Sequence, residues 1–60
     1  MVTIYGTNKA KISILIKLLK SKNKEYEIIN TVRFAGDPSV VINNIIYNYT
    51  QALFYIRDEM

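Results

Sequence analysis

Sixty residues with no cysteine and no histidine make one small domain, which excludes a disulfide staple, thiolate chemistry and an ordinary zinc site. Half of the residues are apolar (50%), yet no apolar run approaches the ~20 residues that span a bilayer. The formal net charge is +3, and it is unevenly placed: every lysine precedes the first acid, Glu25, giving a basic first half and a mildly acidic remainder.

Val2-Thr3-Ile4-Tyr5 alternates as a strand does, with Val2 and Ile4 on one face and Thr3 and Tyr5 on the other. Gly6 permits a sharp turn. The spacing then predicts a helix from Asn8 to about Lys22, because Ile12, Leu15, Ile16 and Leu19 recur at i, i+3, i+4 and i+7. Thr7 or Asn8 supplies the N-cap oxygen, and Asn23, tolerant of left-handed backbone angles, supplies the stop. Lys9, Ser13, Lys17, Lys20 and Lys24 fall on the side away from the apolar stripe. Ile14 and Leu18 widen that stripe, which calls for a second helix beside the first.

A second strand, about Glu25 to Thr31, is expected parallel to the first, joined by a right-handed crossover. Val32 to Pro38 reads as a loop ending in a Gly-Asp-Pro turn. Ser39-Val40-Val41-Ile42 is a β-branched strand, Asn43-Asn44 a two-residue hairpin turn, and Ile45-Ile46-Tyr47 the return strand. Asn48 or Thr50 caps a last helix, Thr50 to about Asp58, with Ala52, Leu53 and Ile56 in one stripe and Phe54 and Tyr55 beside it. The order is β-α-β-β-β-α. It gives an α/β (α+β) domain with a mixed four-stranded sheet and two helices on one face. There is no internal repeat, low-complexity tract or linker. The N-terminus lacks a basic segment followed by an apolar core, so a cytoplasmic protein is expected.

Three stretches resemble the glutaredoxin branch of the thioredoxin fold. Met1 to Tyr5 is similar to the family's first strand. Leu18-Leu19 through Asn30 is similar to the end of its first helix and its second strand. Pro38 to Asn44 is similar to the segment from the cis-proline through the hairpin turn, and the register continues to Leu53 and Ile56. The resemblance implies a minimal glutaredoxin-like fold. The departures bear on function. Where the family carries its cysteines, this chain has Lys9 to Ile12 or Ala10 to Ser13, and neither lysine nor alanine replaces a thiolate. Asn48-Tyr49 stands where the family has the Gly-Gly pair that admits glutathione. The segment between Asn30 and Pro38 is too short for the helix that the family places there.

Without that helix, alternation leaves Thr3, Tyr5, Glu27, Ile29, Val41 and Asn43 on an uncovered sheet face, and sends Val2, Ile4, Tyr26, Ile28, Val40 and Ile42 into the core. The expectation is a protein without catalytic function and without cofactor or metal. It binds a protein partner through Tyr5, Ile29, Val41 and Asn43 and has no membrane partner. A homodimer would suit so small a core. Lys9, Lys17, Lys20 and Lys24 are the candidates for contact with an anion or a nucleic acid, the alternative reading; their bland role is a solvated helix face. Core packing is the default for Tyr47, Tyr49, Phe54 and Tyr55, against stacking on single-stranded nucleic acid. Ser13 has no histidine to activate it, and Asp58-Glu59 reads as a polar chain end. The abundance of Ile, Lys, Asn and Tyr suits an AT-rich genome, as many phages have. By analogy the chain would be a small phage-encoded modulator or inhibitor of a host protein, working in the host cytoplasm.

Overall fold

The computed structural model describes residues 1–60. Its elements are β1 (Val2–Tyr5), α1 (Lys9–Ser21), β2 (Tyr26–Ile29), a short 3-10 turn (Val32–Phe34), β3 (Ser39–Ile42), β4 (Ile45–Tyr47) and α2 (Tyr49–Glu59). The sheet order is β2-β1-β3-β4. Strands β1 and β2 are parallel, and β1–β3 and β3–β4 are antiparallel. The mixed four-stranded sheet and paired helices of the sequence reading are therefore present.

Local chemistry explains the boundaries. Asn8, not Thr7, caps α1: its Oδ1 accepts from the Lys11 N–H at 3.2 Å. The helix ends at Asn23, whose φ of 56° lets the chain turn back. The Asn23 N–H donates to the Lys20 carbonyl at 3.1 Å and the Lys24 N–H to the Leu19 carbonyl at 2.9 Å. That pair of bonds satisfies the orphan carbonyls of the last turn, with asparagine in the place glycine usually takes. At α2 the cap is Asn48, because Gln51 completes a capping box. The Gln51 N–H donates to Asn48 Oδ1 at 2.8 Å, and the Asn48 N–H donates to Gln51 Oε1 at 3.1 Å. Asn43 and Asn44, at φ 52° and 67°, make the hairpin turn with positive φ at both positions.

One core joins the sheet to the helices. Val2, Ile4, Val40 and Ile42 point from the sheet to Ile12, Leu15 and Leu19 of α1 and Ala52 and Ile56 of α2. Leu18 is half-buried against this core, and α2 packs beside α1. Two readings need correction. Ile14 gains little from α2 and stays 48% exposed. Ile28, expected inside with Tyr26, is 38% exposed. It lies on the helix side of the sheet, but β2 is an edge strand, and α1 leaves a shallow cavity there lined by Ile12, Ile16 and Ile28. Alternation fixes which face a residue takes; strand order fixes whether anything covers it.

Between β2 and β3 the chain makes the 3-10 turn in place of an unstructured loop. Thr31 caps it, its Oγ1 accepting from the Arg33 N–H at 3.3 Å. No helix from this segment covers the sheet. The peptide bond before Pro38 is trans, as every peptide bond in the chain is.

Candidate interaction surface

Pairing register places the side chains of the uncovered face. Across one row Ile29 faces Tyr5, which faces Ser39. Across the next Glu27 faces Thr3, Thr3 faces Val41, and Val41 faces Ile46. Residues opposite one another in a ladder share a face, and diagonal neighbours lie about 7–8 Å apart. Ile29, Tyr5, Val41 and Ile46 thus form an apolar band running obliquely from one edge of the sheet to the other, with Glu27, Thr3 and Ser39 beside it. Both helices lie on the opposite face, where the core is.

Three of the predicted partner contacts, Tyr5, Ile29 and Val41, fall in this band. Ile29 is 38% exposed, and Tyr5 and Val41 are half-buried. Tyr5 is sheltered by Phe34, whose ring meets it edge-on with centroids 6.5 Å apart. Asn43 does not join them. It sits in the hairpin turn, where its positive φ takes it off the strand, and it lines a cleft of about 460 Å³ at the base of the molecule with Lys24, Glu25, Tyr55 and Glu59. Sequence reasoning missed Ile46, at 74% the most exposed residue of the band. The signal was available: a two-residue turn at Asn43-Asn44 sets Ile46 opposite Val41, and Val41 was already assigned outward.

The lysine side separates in the same way. Lys9, Lys17 and Lys20 are exposed on α1, and no carboxylate pairs with them; the ion pairs are Lys11–Asp37 and Arg57–Asp58. Lys24 lies past the helix end, beside Glu25 in the basal cleft, so the predicted stripe of four shrinks to three. Lys22 leaves it as well, its Nζ donating to the Arg57 carbonyl at 2.9 Å and tying α1 to the end of α2.

At the N-terminus of α1 the polar groups satisfy one another. Asn8 Nδ2 donates to the Gly36 carbonyl at 3.0 Å, Lys11 pairs with Asp37, and the Lys11 ammonium stands 5.2 Å from the centre of the Tyr49 ring. This is the end where the resemblance would place sulfur chemistry, and lysine, tyrosine and the Asp37-Pro38 segment fill it. No three of the chain's Asp and Glu side chains come together in a cluster that could hold a metal ion. The Arg57 guanidinium, hydrogen-bonded to Asp58 at 2.8 Å, holds that carboxyl below its ordinary range and is itself held more firmly protonated. Both groups are in solvent, so the pair has the character of a surface contact. No helix is long and apolar enough to cross a membrane. No family model matches the chain, and no curated protein or solved structure matches it significantly.

Proposed function

We propose that this chain is a non-catalytic protein-interaction module that offers the uncovered face of its sheet to a protein partner. The observation that carries the reading is the band Ile29–Tyr5–Val41–Ile46: apolar, continuous across the pairing register, and opposite the core. Exposed apolar surface rimmed by polar groups, here Glu27, Thr3 and Ser39, is what a protein interface uses. The likeness to a glutaredoxin lacking its cysteines and middle helix supports the same reading, since the scaffold keeps its sheet and loses its chemistry. A small phage-encoded modulator or inhibitor of a host protein, acting in the host cytoplasm, fits this description. Affinity purification from the native host tests it. Wild-type bait should retain a specific protein that bait carrying Ile29→Lys and Val41→Lys does not retain, with both baits equally folded by circular dichroism. Equal recovery by the two baits, or no retained protein, refutes the reading.

A second reading rests on the unpaired Lys9, Lys17 and Lys20 on one exposed side of α1. These cations can neutralise phosphates, and affinity for DNA or RNA would then fall steeply with salt. Charge reversal at Lys17 and Lys20 should abolish binding at low salt. Unchanged binding after that reversal removes this alternative.

A further inference from the structure

We propose that two copies of this chain join through β4 in antiparallel register, with a two-fold axis beside Ile46, making one continuous eight-stranded sheet. The inference does not rest on the partner-binding reading: it uses the backbone edge of β4 and the flank of α2, and shares with the apolar band only Ile46.

Main-chain geometry centres the contact. Ile42 and Ile45 flank the two-residue turn, and the pair that closes such a turn is a hydrogen-bonded one. Hydrogen-bonded and non-bonded pairs alternate along an antiparallel ladder. The next pair, Val41 and Ile46, is therefore non-bonded, and the Ile46 N–H and carbonyl point away from β3. Because β4 ends the sheet, nothing in the chain pairs with them. A second β4 running antiparallel sets Ile46 opposite its own copy and exchanges both bonds, while Ile45 meets Tyr47 of the other chain.

The flank beside β4 is self-complementary on the same axis. A groove of about 580 Å³ runs between β4 and α2, with Phe54 and Tyr55 at its middle, Gln51 at one end and Asp58 and Glu59 at the other. Phe54 is 51% exposed there. Antiparallel pairing of two such flanks sets Phe54 near its copy, and the acidic end of each α2 near the amide-rich N-terminal end of the other, where the helix dipole favours negative charge. The spacings agree. Strands lie about 4.8 Å apart, so a helix seated over β3 and β4 stands about 5 Å from the axis and its mate about 10 Å away, the distance of packed helices.

The other edge does not offer this. On β2, Glu27 and the adjoining Glu25 would bring carboxylates of two copies together, and charge is the usual guard on an exposed edge. β4 carries Ile-Ile-Tyr with no charge. A stable dimer usually buries roughly 800 Å² per partner, about a fifth of the 4060 Å² surface of this chain. A three-residue strand and one helix flank bury less, so association belongs at high micromolar concentration.

Sedimentation equilibrium from 10 µM to 1 mM on the full chain tests the proposal, alongside amide exchange by NMR. The mass should rise from 7.0 kDa toward twice that value, and the Ile46 amide should gain protection with concentration. Ile46→Pro removes the outward N–H that the pairing needs and fixes φ at an edge position, and Phe54→Lys places a charge at the axis. Each should weaken association about tenfold or more without altering the circular dichroism spectrum. A monomer throughout the range, a dimer unaffected by both changes, or an Ile46 amide whose exchange ignores concentration would overturn the proposal. The exchange measurement needs only the wild-type chain, so it decides even where a variant fails to fold.

Discussion

Leu15→Ala should nearly unfold this protein, while Ile14→Ala, one residue away on α1, should leave it almost untouched. Leu15 is 0% exposed among the side chains of both helices and the sheet, whereas Ile14 is 48% exposed. Truncating a buried leucine costs about 2–5 kcal/mol, the lost transfer energy plus the cavity left behind. A single core in a chain this short supplies roughly 3–5 kcal/mol in all. The variant should thus retain about 1 kcal/mol or less. At Ile14 the loss of half-covered surface is partly offset by alanine's better helix propensity, about 0.4 kcal/mol, and the net effect should lie within about 0.5 kcal/mol. Urea unfolding followed by far-ultraviolet circular dichroism reads both. With a slope of about 1 kcal/mol/M for a small domain, the Leu15→Ala midpoint should fall by about 2 M or more and the Ile14→Ala midpoint by less than about 0.5 M. Equal shifts for the two variants would refute the placement of α1 against the sheet.

Asn48→Ala removes the capping-box bond that Asn48 Oδ1 accepts from the Gln51 N–H and should cost about 1 kcal/mol, seen as a lowered urea midpoint; no change would mean that α2 is not capped there. Asn44→Gly should add about 0.5 kcal/mol of stability, read as a raised urea midpoint, since φ at that position is 67° and glycine takes such angles without steric cost. The Asp58 carboxyl, held low by Arg57, should titrate below an unpaired aspartate when followed by NMR. Its folded value is depressed, so its small contribution is present above the unfolded aspartate range and is lost as pH falls through the folded value. Arg57→Gln should return the titration to the ordinary range, and an unchanged curve would count against the pair.

Much of the fold was legible because its signals are local. Asn23, Asn43 and Asn44 all adopt the positive φ that asparagine tolerates, and each marks a chain reversal in a sequence with few glycines. The run Ser39–Ile42 coincides with β3 to the residue. Other features depend on position within the assembled sheet. Ile28 has core parity but edge location, so it remains 38% exposed. Lys24 continues a helical projection that Asn23 has already ended. Asn43 would point outward if the strand went on, but the turn begins there. Ile46 is harder to see for the opposite reason: three residues show too little alternation to assign a face, and it takes the register set by the Asn43-Asn44 turn, which pairs Ile46 with Val41, to reveal it. Helical spacing gathers Lys9, Lys17 and Lys20, but whether they are free depends on Asp37 and the Arg57 carbonyl taking Lys11 and Lys22, which is a long-range outcome.

The short link from β2 to β3 explains how the sheet can dispense with a covering helix, and it isolates one residue on which the arrangement turns. Because β1 lies between them, the chain leaving Ile29 must cross the end of β1 before entering β3 at Ser39. Two strand spacings are about 10 Å, well within the reach of the residues between them, so the slack winds into the 3-10 turn that sets Phe34 on Tyr5. The crossing passes directly over Gly6. A Cβ there would stand 3.1 Å from the Phe34 carbonyl oxygen and 3.3 Å from the Pro38 Cα, at a φ of 154°. Both neighbours are backbone and cannot swing aside. Gly6→Ala should cost about 1–3 kcal/mol in strain alone, most of what a core this size provides. Gly36 in the same link has open space around its Cα, and Gly36→Ala should change stability by less than about 0.5 kcal/mol, read from the urea midpoint. If Gly6→Ala were as stable as Gly36→Ala, the link could not be passing over β1 at this distance, and the uncovered face would lose the boundary that Phe34 gives it.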